Sequence, residues 1–207
     1  MAEFFPWDKY LALTLDRLII VADIIRAGRH LAVLDHQPSK GDDAWTLGCL
    51  AYKRSCFAVT QAVEHHPWLT VLPEEQNRFT FAIGSIPLKF YHGLADNPPS
   101  RSLAVSFAEL GSIQLCLNYG TLPDKDHILR LAVETDATGD AKNVILAELD
   151  QDGNVTATFT IPERGASIRP MTPSPVDPGP PSFTSHEEEK RKKDRRERRT
   201  GTEGNGR

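Results

Sequence analysis

Hydrophobic residues recur at three- and four-residue steps near the start of the chain. Between Pro6 and Leu34 the apolar positions share one face of a helix, and this spacing predicts a single long helix. The positions that define the buried face are Leu11, Leu15, Leu18, Val21 and Ile25. Because proline lacks an N–H that a first helical turn leaves unpaired, Pro6 suits the start of this helix.

A polar break at residues 35–41 separates the first helical pattern from a second. Asp42 or Asp43 can cap a helix that runs to about His65, where Pro67 excludes a further helical turn. The apolar positions that repeat with the helical period are Leu47, Leu50, Ala51, Phe57, Ala58 and Ala62. Two long helices joined by a short loop are predicted to pack as an antiparallel pair.

The period changes to two after residue 78, in RFTFAIGSIPLKFY. Apolar residues alternate strictly on both sides of Gly84-Ser85, and a glycine first in a two-residue loop is typical of a β-hairpin. Because Pro87 has no N–H to donate, its strand is predicted at a sheet edge or with that position facing solvent.

Three further alternating stretches, HILRLAVE, NVILAEL and NVTATFTIP, predict an antiparallel meander. The segment 102–119 fits a helix and a strand almost equally, and we expect a helix. The fold class is therefore predicted as α+β, with two long N-terminal helices packed on an antiparallel sheet. This sheet consists of the hairpin and the meander. Residues 1–162 are predicted to form this single domain.

Residues 163–207 carry no hydrophobic periodicity. A proline-rich stretch is followed by charged residues without an apolar face, which predicts a disordered linker and tail. Residues 187–207 hold nine basic and six acidic side chains, so the remaining chain is more acidic than the overall net charge of −4. An acidic body disfavours a large phosphate-binding face, and nucleic-acid contact is expected only through the basic stretch 190–199.

Targeting and redox signals are sparse. The N-terminus lacks a basic region before an apolar stretch, and the longest apolar run is too short to cross a bilayer. Three cysteines do not form an even, dense set of the kind found in secreted disulfide frameworks. These features predict a protein of the cytoplasm with no membrane association.

The motifs that signal common chemistries are missing or incomplete. QAVEH resembles the HxxEH zinc motif of inverzincin peptidases, but Gln61 replaces the first histidine and so removes a zinc ligand. There is no GxSxG, GxxxxGK[ST] or GxGxxG motif. We therefore predict no catalytic residue, no metal ligand and no cofactor.

One set of residues around the hairpin is a candidate binding site. Lys89 and Tyr91 alternate with the apolar residues of the second hairpin strand, and His92 and Arg101 bracket the proline-containing loop that follows it. Arg78 begins the first hairpin strand. Cations beside a stiff loop can bind an anion or an acidic partner, so we assign Lys89, Tyr91, His92 and Arg101 as the predicted binding residues.

The scattered reactive residues favour a non-catalytic interaction or regulatory module that binds another protein. One alternative is a hydrolase-like enzyme whose site is assembled in space from His92, Arg101, His127 and Glu134. A second alternative is nonspecific nucleic-acid binding by the basic tail.

Overall fold

The computed structural model describes residues 4–73, 79–107, 109–111 and 127–164. The chain divides into two compact units, Met1–Ile168 and Arg169–Arg207, and all described residues lie in the first unit. The predicted disordered tail, including its basic stretch 190–199, lies outside the described residues. Within the described ranges, no helix is both long and apolar enough to cross a bilayer.

The helical half contains two long helices, as predicted, but the first begins later than expected. A single turn, α1 (Pro6–Lys9), precedes α2 (Leu15–Asp35). After a 3₁₀ turn (Pro38–Lys40), α3 extends over Ala44–Ala62, and the short α4 spans Ser100–Leu103. Ser102, Leu103, Phe107 and residues 109–111 of the ambiguous segment 102–119 are helical, whereas residues 108 and 112–119 lie outside the described residues.

The prediction of one continuous helix from Pro6 was wrong because the chain turns between α1 and α2. At this turn Tyr10 points inward and its hydroxyl donates a hydrogen bond of 2.6 Å to the carboxylate of Glu148. Leu13 is also buried, whereas Leu11, predicted on the buried face, is 83% exposed. The buried hydrogen bond between Tyr10 and Glu148 thus accompanies a turn at the position where the hydrophobic pattern predicted a continuous helix.

α3 begins as predicted and ends earlier than predicted. The side chain of Asp43 accepts a 2.8 Å hydrogen bond from the N–H of Thr46, which confirms its role as the N-cap. The face that packs on α2 contains Ala51, Ser55, Cys56 and Val59. Phe57, predicted on the apolar face, is 67% exposed because it lies outside this narrower face.

Six strands form one mixed sheet in the order β1-β2-β3-β4-β5-β6. Their bounds are Leu69–Val71, Phe81–Ile83, Ile86–His92, Ile128–Thr135, Ala141–Leu149 and Val155–Ile161. The predicted hairpin (β2-β3) and meander (β4-β5-β6) are both present. The prediction of an antiparallel sheet was wrong, because β3 and β4 pair in parallel and join the two groups. β1 was not predicted.

Pro87 does not mark a sheet edge, because β3 lies between β2 and β4. A two-residue hairpin loop is flanked by a hydrogen-bonded pair, here Ile83 and Ile86, so Ala82 and Pro87 form the next, non-hydrogen-bonded pair. The nitrogen of Pro87 therefore points away from β2. Pairing with β4 starts only at Lys89, so Pro87 interrupts neither ladder.

The two faces of the sheet are covered differently. α2 and α3 cover one face, and the core between these layers contains Leu18, Val21, Ile25, Leu88, Phe90, Leu131 and Leu146. β3 and β4 are parallel, so a long connection joins them, and its first described residues pack on the opposite face. Its residue Ala95 packs there on Tyr91 and Ala132. α4 belongs to this crossover.

Close contact between α2 and α3 requires a glycine. A Cβ at Gly28 would lie 2.8 Å from the Cα of Ser55 in α3. We expect Gly28→Ala to lower the free energy of unfolding by about 1–3 kcal/mol through overpacking. Chemical denaturation of the purified chain measures the change.

Gly48→Ala is the matched control for this variant. A Cβ at Gly48, in the second turn of α3, would meet nothing within 4 Å. Alanine should therefore stabilise the helix there by up to about 1 kcal/mol. If Gly28→Ala leaves the stability unchanged or raises it, as Gly48→Ala should, close helix packing at Gly28 is not a constraint on the fold.

Candidate functional site

A cavity of about 510 Å³ lies where β2 and β3 separate. The two strands are paired up to Phe81 and Leu88. Beyond this pair, Thr80 stays with the β1 side by accepting a 2.9 Å hydrogen bond from the N–H of Leu72. The N–H of Phe79 donates to the hydroxyl of Tyr52 in α3, at 3.1 Å. β3 continues along β4 instead, and the gap between the two diverging segments, residues 79–80 and the second half of β3, forms the cavity.

Aromatic side chains make the apolar wall of this cavity. The rings of Tyr52 and Phe79 lie 5.3 Å and 6.1 Å from the ring of Phe90, centre to centre. Trp45, in the first turn of α3, lines the same cavity and is 76% exposed. A concave surface with several aromatic side chains and few polar groups is typical of a binding site.

All four predicted binding residues line this cavity. Lys89 and Tyr91 are not on an open surface, as an ordinary hairpin would place them, because the β3–β4 crossover covers them. Only 7% of Lys89 is exposed, and the Tyr91 hydroxyl donates to the carbonyl of Leu94 at 3.2 Å. His92 and Arg101 are exposed at the cavity, at the end of β3 and in α4. Arg78 lies outside the described residues.

A buried ionic network fixes the wall next to α4. Lys89 donates to the carbonyl of Ala104 at 2.9 Å and forms an ion pair with Glu109. Glu109 also pairs with Nη1 of Arg130 at 2.8 Å. Nε of Arg130 donates to the carbonyl of Ser102 at 2.6 Å. The network thus joins β3 and β4 to the crossover, and it holds α4 beside the cavity.

The charges of this network depend on one another. Burial alone would raise the pKa of Glu109, but Arg130 and Lys89 outweigh this effect and hold the pKa below its ordinary value. Arg130 is 0% exposed, and burial lowers the pKa of its guanidinium against the opposing attraction of Glu109. The network holds two cations, Lys89 and Arg130, and one carboxylate, and its two cations are buried. Arg101 is the exposed cation among the described residues of the cavity, and His92 adds a positive charge only when its imidazole is protonated.

The surroundings of His92 are electropositive. Burial lowers the pKa of its imidazole, and the charges of Arg29 and Arg101 lower the pKa further. Nε2 of His92 lies 3.2 Å from the hydroxyl of Thr135. The described lining residues of the cavity include no carboxylate. Both Arg29 and His92 also line a small adjoining space of about 30 Å³.

Tyr91 cannot act as a base near neutral pH. Burial raises its pKa to about 12, with smaller contributions from the negative charges of Asp96 and Glu134. The phenol is therefore protonated and serves as a hydrogen-bond donor to Leu94.

The structure brings together two of the four residues in the enzyme hypothesis. His92 and Arg101 share the cavity, whereas His127 and Glu134 are not among its described lining residues. His127 lies 3.8 Å from Glu148, and Glu134 accepts hydrogen bonds from Ala95 and Asn143. The described ranges also contain no group of three or more His, Cys, Asp or Glu side chains arranged to hold a metal.

Sequence reasoning missed several contributors to this site, among them Arg29, Trp45, Tyr52, Glu109 and Arg130. Arg130 carried a signal, since a charged residue in the apolar strand HILRLAVE needs a buried partner. Arg29 and Trp45 belong to the two N-terminal helices, and their nearness to β3 follows only from the tertiary fold.

No protein-family model matches this chain, and comparison with curated proteins and with solved structures finds no match either.

The ionic network makes a testable contribution to stability. Glu109→Gln should lower the free energy of unfolding at neutral pH by about 3–5 kcal/mol, because it leaves Arg130 and Lys89 buried without a counter-charge. Glu163→Gln, at an exposed position, is the control and should change it by less than about 0.5 kcal/mol. Denaturation with urea measures both.

The stability difference between the parent chain and Glu109→Gln should depend on pH. Because the pKa of Glu109 is lower in the folded chain, its ionic contribution is present above the ordinary value of 4.5. That contribution is lost as the pH falls through the folded-state pKa. The stability difference between the parent chain and Glu109→Gln should therefore shrink below pH 4.5. A difference that is absent at neutral pH, or constant on acidification, would contradict the role given to Glu109.

Proposed function

We propose that this chain is a non-catalytic interaction module of the cytoplasm that binds an acidic segment of a partner protein in the cavity. The observation that carries the proposal is the combination of an aromatic wall, the cationic Arg101, the titratable His92 and no described carboxylate among the lining residues. The guanidinium of Arg101 makes no hydrogen bond or ion pair within the described part of the chain. An exposed arginine of this kind is suited to a carboxylate from another molecule.

The aromatic wall supports a protein partner. Trp45 and Tyr52 present large side chains on α3, and residues of these types contribute disproportionately to protein–protein binding. A partner side chain inserted beside them would bury apolar surface, while one carboxylate of the partner would pair with Arg101 and another with protonated His92. Affinity and charge selectivity then come from neighbouring parts of one site.

The groups that could perform chemistry in the cavity support binding instead. Lys89 is engaged by Glu109, and Tyr91 keeps its proton at neutral pH. Cys49, an exposed free thiol, lines the cavity. The imidazole of His92 bonds to the hydroxyl of Thr135, and Thr135 is not among the described residues that line the cavity. A nucleophile bonded to a base, the usual sign of covalent catalysis, is therefore not seen between two described lining residues.

Charge reversal at Arg101 tests the proposal. The tagged full chain, Arg101→Glu and Lys142→Glu are used to purify partners from the cells that express the chain, with quantification by mass spectrometry. Lys142 is an exposed residue of β5 outside the cavity lining, so its replacement matches the change in net charge. A partner should be retained by the parent chain and by Lys142→Glu. Arg101→Glu should lose at least about tenfold in affinity, since like charges in contact cost several kcal/mol.

Two results would contradict the proposal. One is the absence of any stoichiometric partner of the parent chain. The other is a partner that Arg101→Glu retains as well as Lys142→Glu does, since its binding would not depend on the cavity.

The binding should also strengthen on acidification. The pKa of His92 is lowered in the unbound chain, and a carboxylate bound nearby would raise it. Binding then takes up a proton, so affinity increases as the pH falls from neutral towards about 5.5. Titration of the identified partner at several pH values measures this dependence, and His92→Gln should flatten it. An equal pH dependence in both proteins would exclude His92 as its source.

A further inference from the structure

The backbone of β3 faces the cavity along its second half. The polar groups of successive residues in a strand point to opposite edges. The N–H and C=O of Leu88 point towards β2, where Leu88 forms a hydrogen-bonded pair with Phe81. The N–H of Gly93 donates to the carbonyl of Val133 in β4 at 3.2 Å, so the residues of odd number at this end of β3 face β4. Phe90 and His92 must therefore direct their N–H and C=O groups away from β4, into the gap that β2 leaves.

These backbone groups have no partner within the described part of the chain. Phe79 is the residue that would continue the β2 ladder opposite Phe90, but its N–H is bonded to the hydroxyl of Tyr52. As far as the described residues go, the edge of β3 at Phe90 and His92 is thus an open strand edge inside a cavity. α3 flanks it on one side and α4 on the other. A short, recessed edge of this kind is protected from nonspecific strand pairing, yet an extended segment can reach it.

We propose that the partner binds as an added β-strand, in extended conformation, along the open edge of β3 at Phe90 and His92. The proposal rests on the proposed function and specifies its geometry. Main-chain hydrogen bonds to an exposed edge supply affinity that is independent of sequence, and the alternating side chains supply selectivity.

The two sides of the edge define the partner's sequence pattern. The helix-facing side presents Trp45, Tyr52 and Phe90, with His92 at its end, whereas the opposite side presents Tyr91 and Arg101. Because side chains of a strand alternate between faces, apolar residues of the partner would point to α3 and acidic residues to α4. We infer that the partner segment alternates apolar and acidic residues over the length of this edge.

A random linear peptide library displayed on phage is the probe, selected on the full chain and, in parallel, on Arg101→Glu and Lys142→Glu. Enriched peptides should alternate apolar and acidic residues and should bind the parent chain and Lys142→Glu. One selected peptide is then synthesised with each backbone amide N-methylated in turn. Methylation of alternate amides, those bonded to β3, should reduce affinity about tenfold each, and methylation of the intervening amides should have little effect.

The outcomes separate this inference from the proposed function. Acidic peptides that depend on Arg101 but tolerate methylation at every amide would overturn strand addition and leave the binding module intact. Failure to enrich any Arg101-dependent peptide would overturn both. Peptides that match a stretch of this chain itself would identify a second copy or its own terminus as the occupant, and would overturn the assignment to a partner protein.

Discussion

The change of hydrogen-bonding partner in the middle of β3 is the constraint on which the site depends. Up to Leu88 the strand pairs with β2, and from Lys89 it pairs with β4 on its other edge. Each half of β3 is therefore paired on one edge only, and within the described residues the other edge of each half has no ladder partner. Pro87 lies on the unpaired edge of the first half, where its missing N–H costs nothing. The cavity lies beside the unpaired edge of the second half, at Phe90 and His92.

The parallel pairing of β3 and β4 explains why charged groups are buried next to the cavity. A parallel pair requires a long crossover, and the described part of it packs on the sheet face opposite α2 and α3. Arg130, Glu109 and Lys89 hold part of this crossover against β3 and β4 through side-chain ion pairs and bonds to its carbonyl groups. Buried ion pairs contribute little net stability but are costly to break. Their consequence here is positional, since they place α4 with Arg101 beside the open strand edge.

Local patterns in the sequence predicted those parts of the fold that local interactions determine. The glycine-containing hairpin, the Asp43 cap and the alternation of β6 all arise within a few residues, and the structure confirms them. The turn between α1 and α2 and the mixed sheet depend on contacts between distant segments. Tyr10 bonds to Glu148, and β4 pairs with a strand from which it is separated by the whole crossover. No periodicity encodes such pairings.

For the candidate site, too, only the residues that are close in sequence could be predicted together. Lys89, Tyr91, His92 and Arg101 are close in sequence around one strand and its loop, so they could be proposed together from the sequence. The aromatic wall on α3 and the guanidinium of Arg29 come from the helical half of the chain, and Glu109 comes from the crossover. Their positions follow from the packing of the two helices on one face of the sheet and the crossover on the other.

Amide hydrogen exchange of the free chain, measured by NMR for the four consecutive residues Lys89 to His92, tests the open edge most directly. Amides bonded in a ladder exchange slowly, and unpaired amides exchange rapidly. The account predicts slow exchange at Lys89 and Tyr91, which face β4, and rapid exchange at Phe90 and His92, which face the cavity. Equal protection of all four amides would show that the edge is already paired within the chain, and would contradict the account.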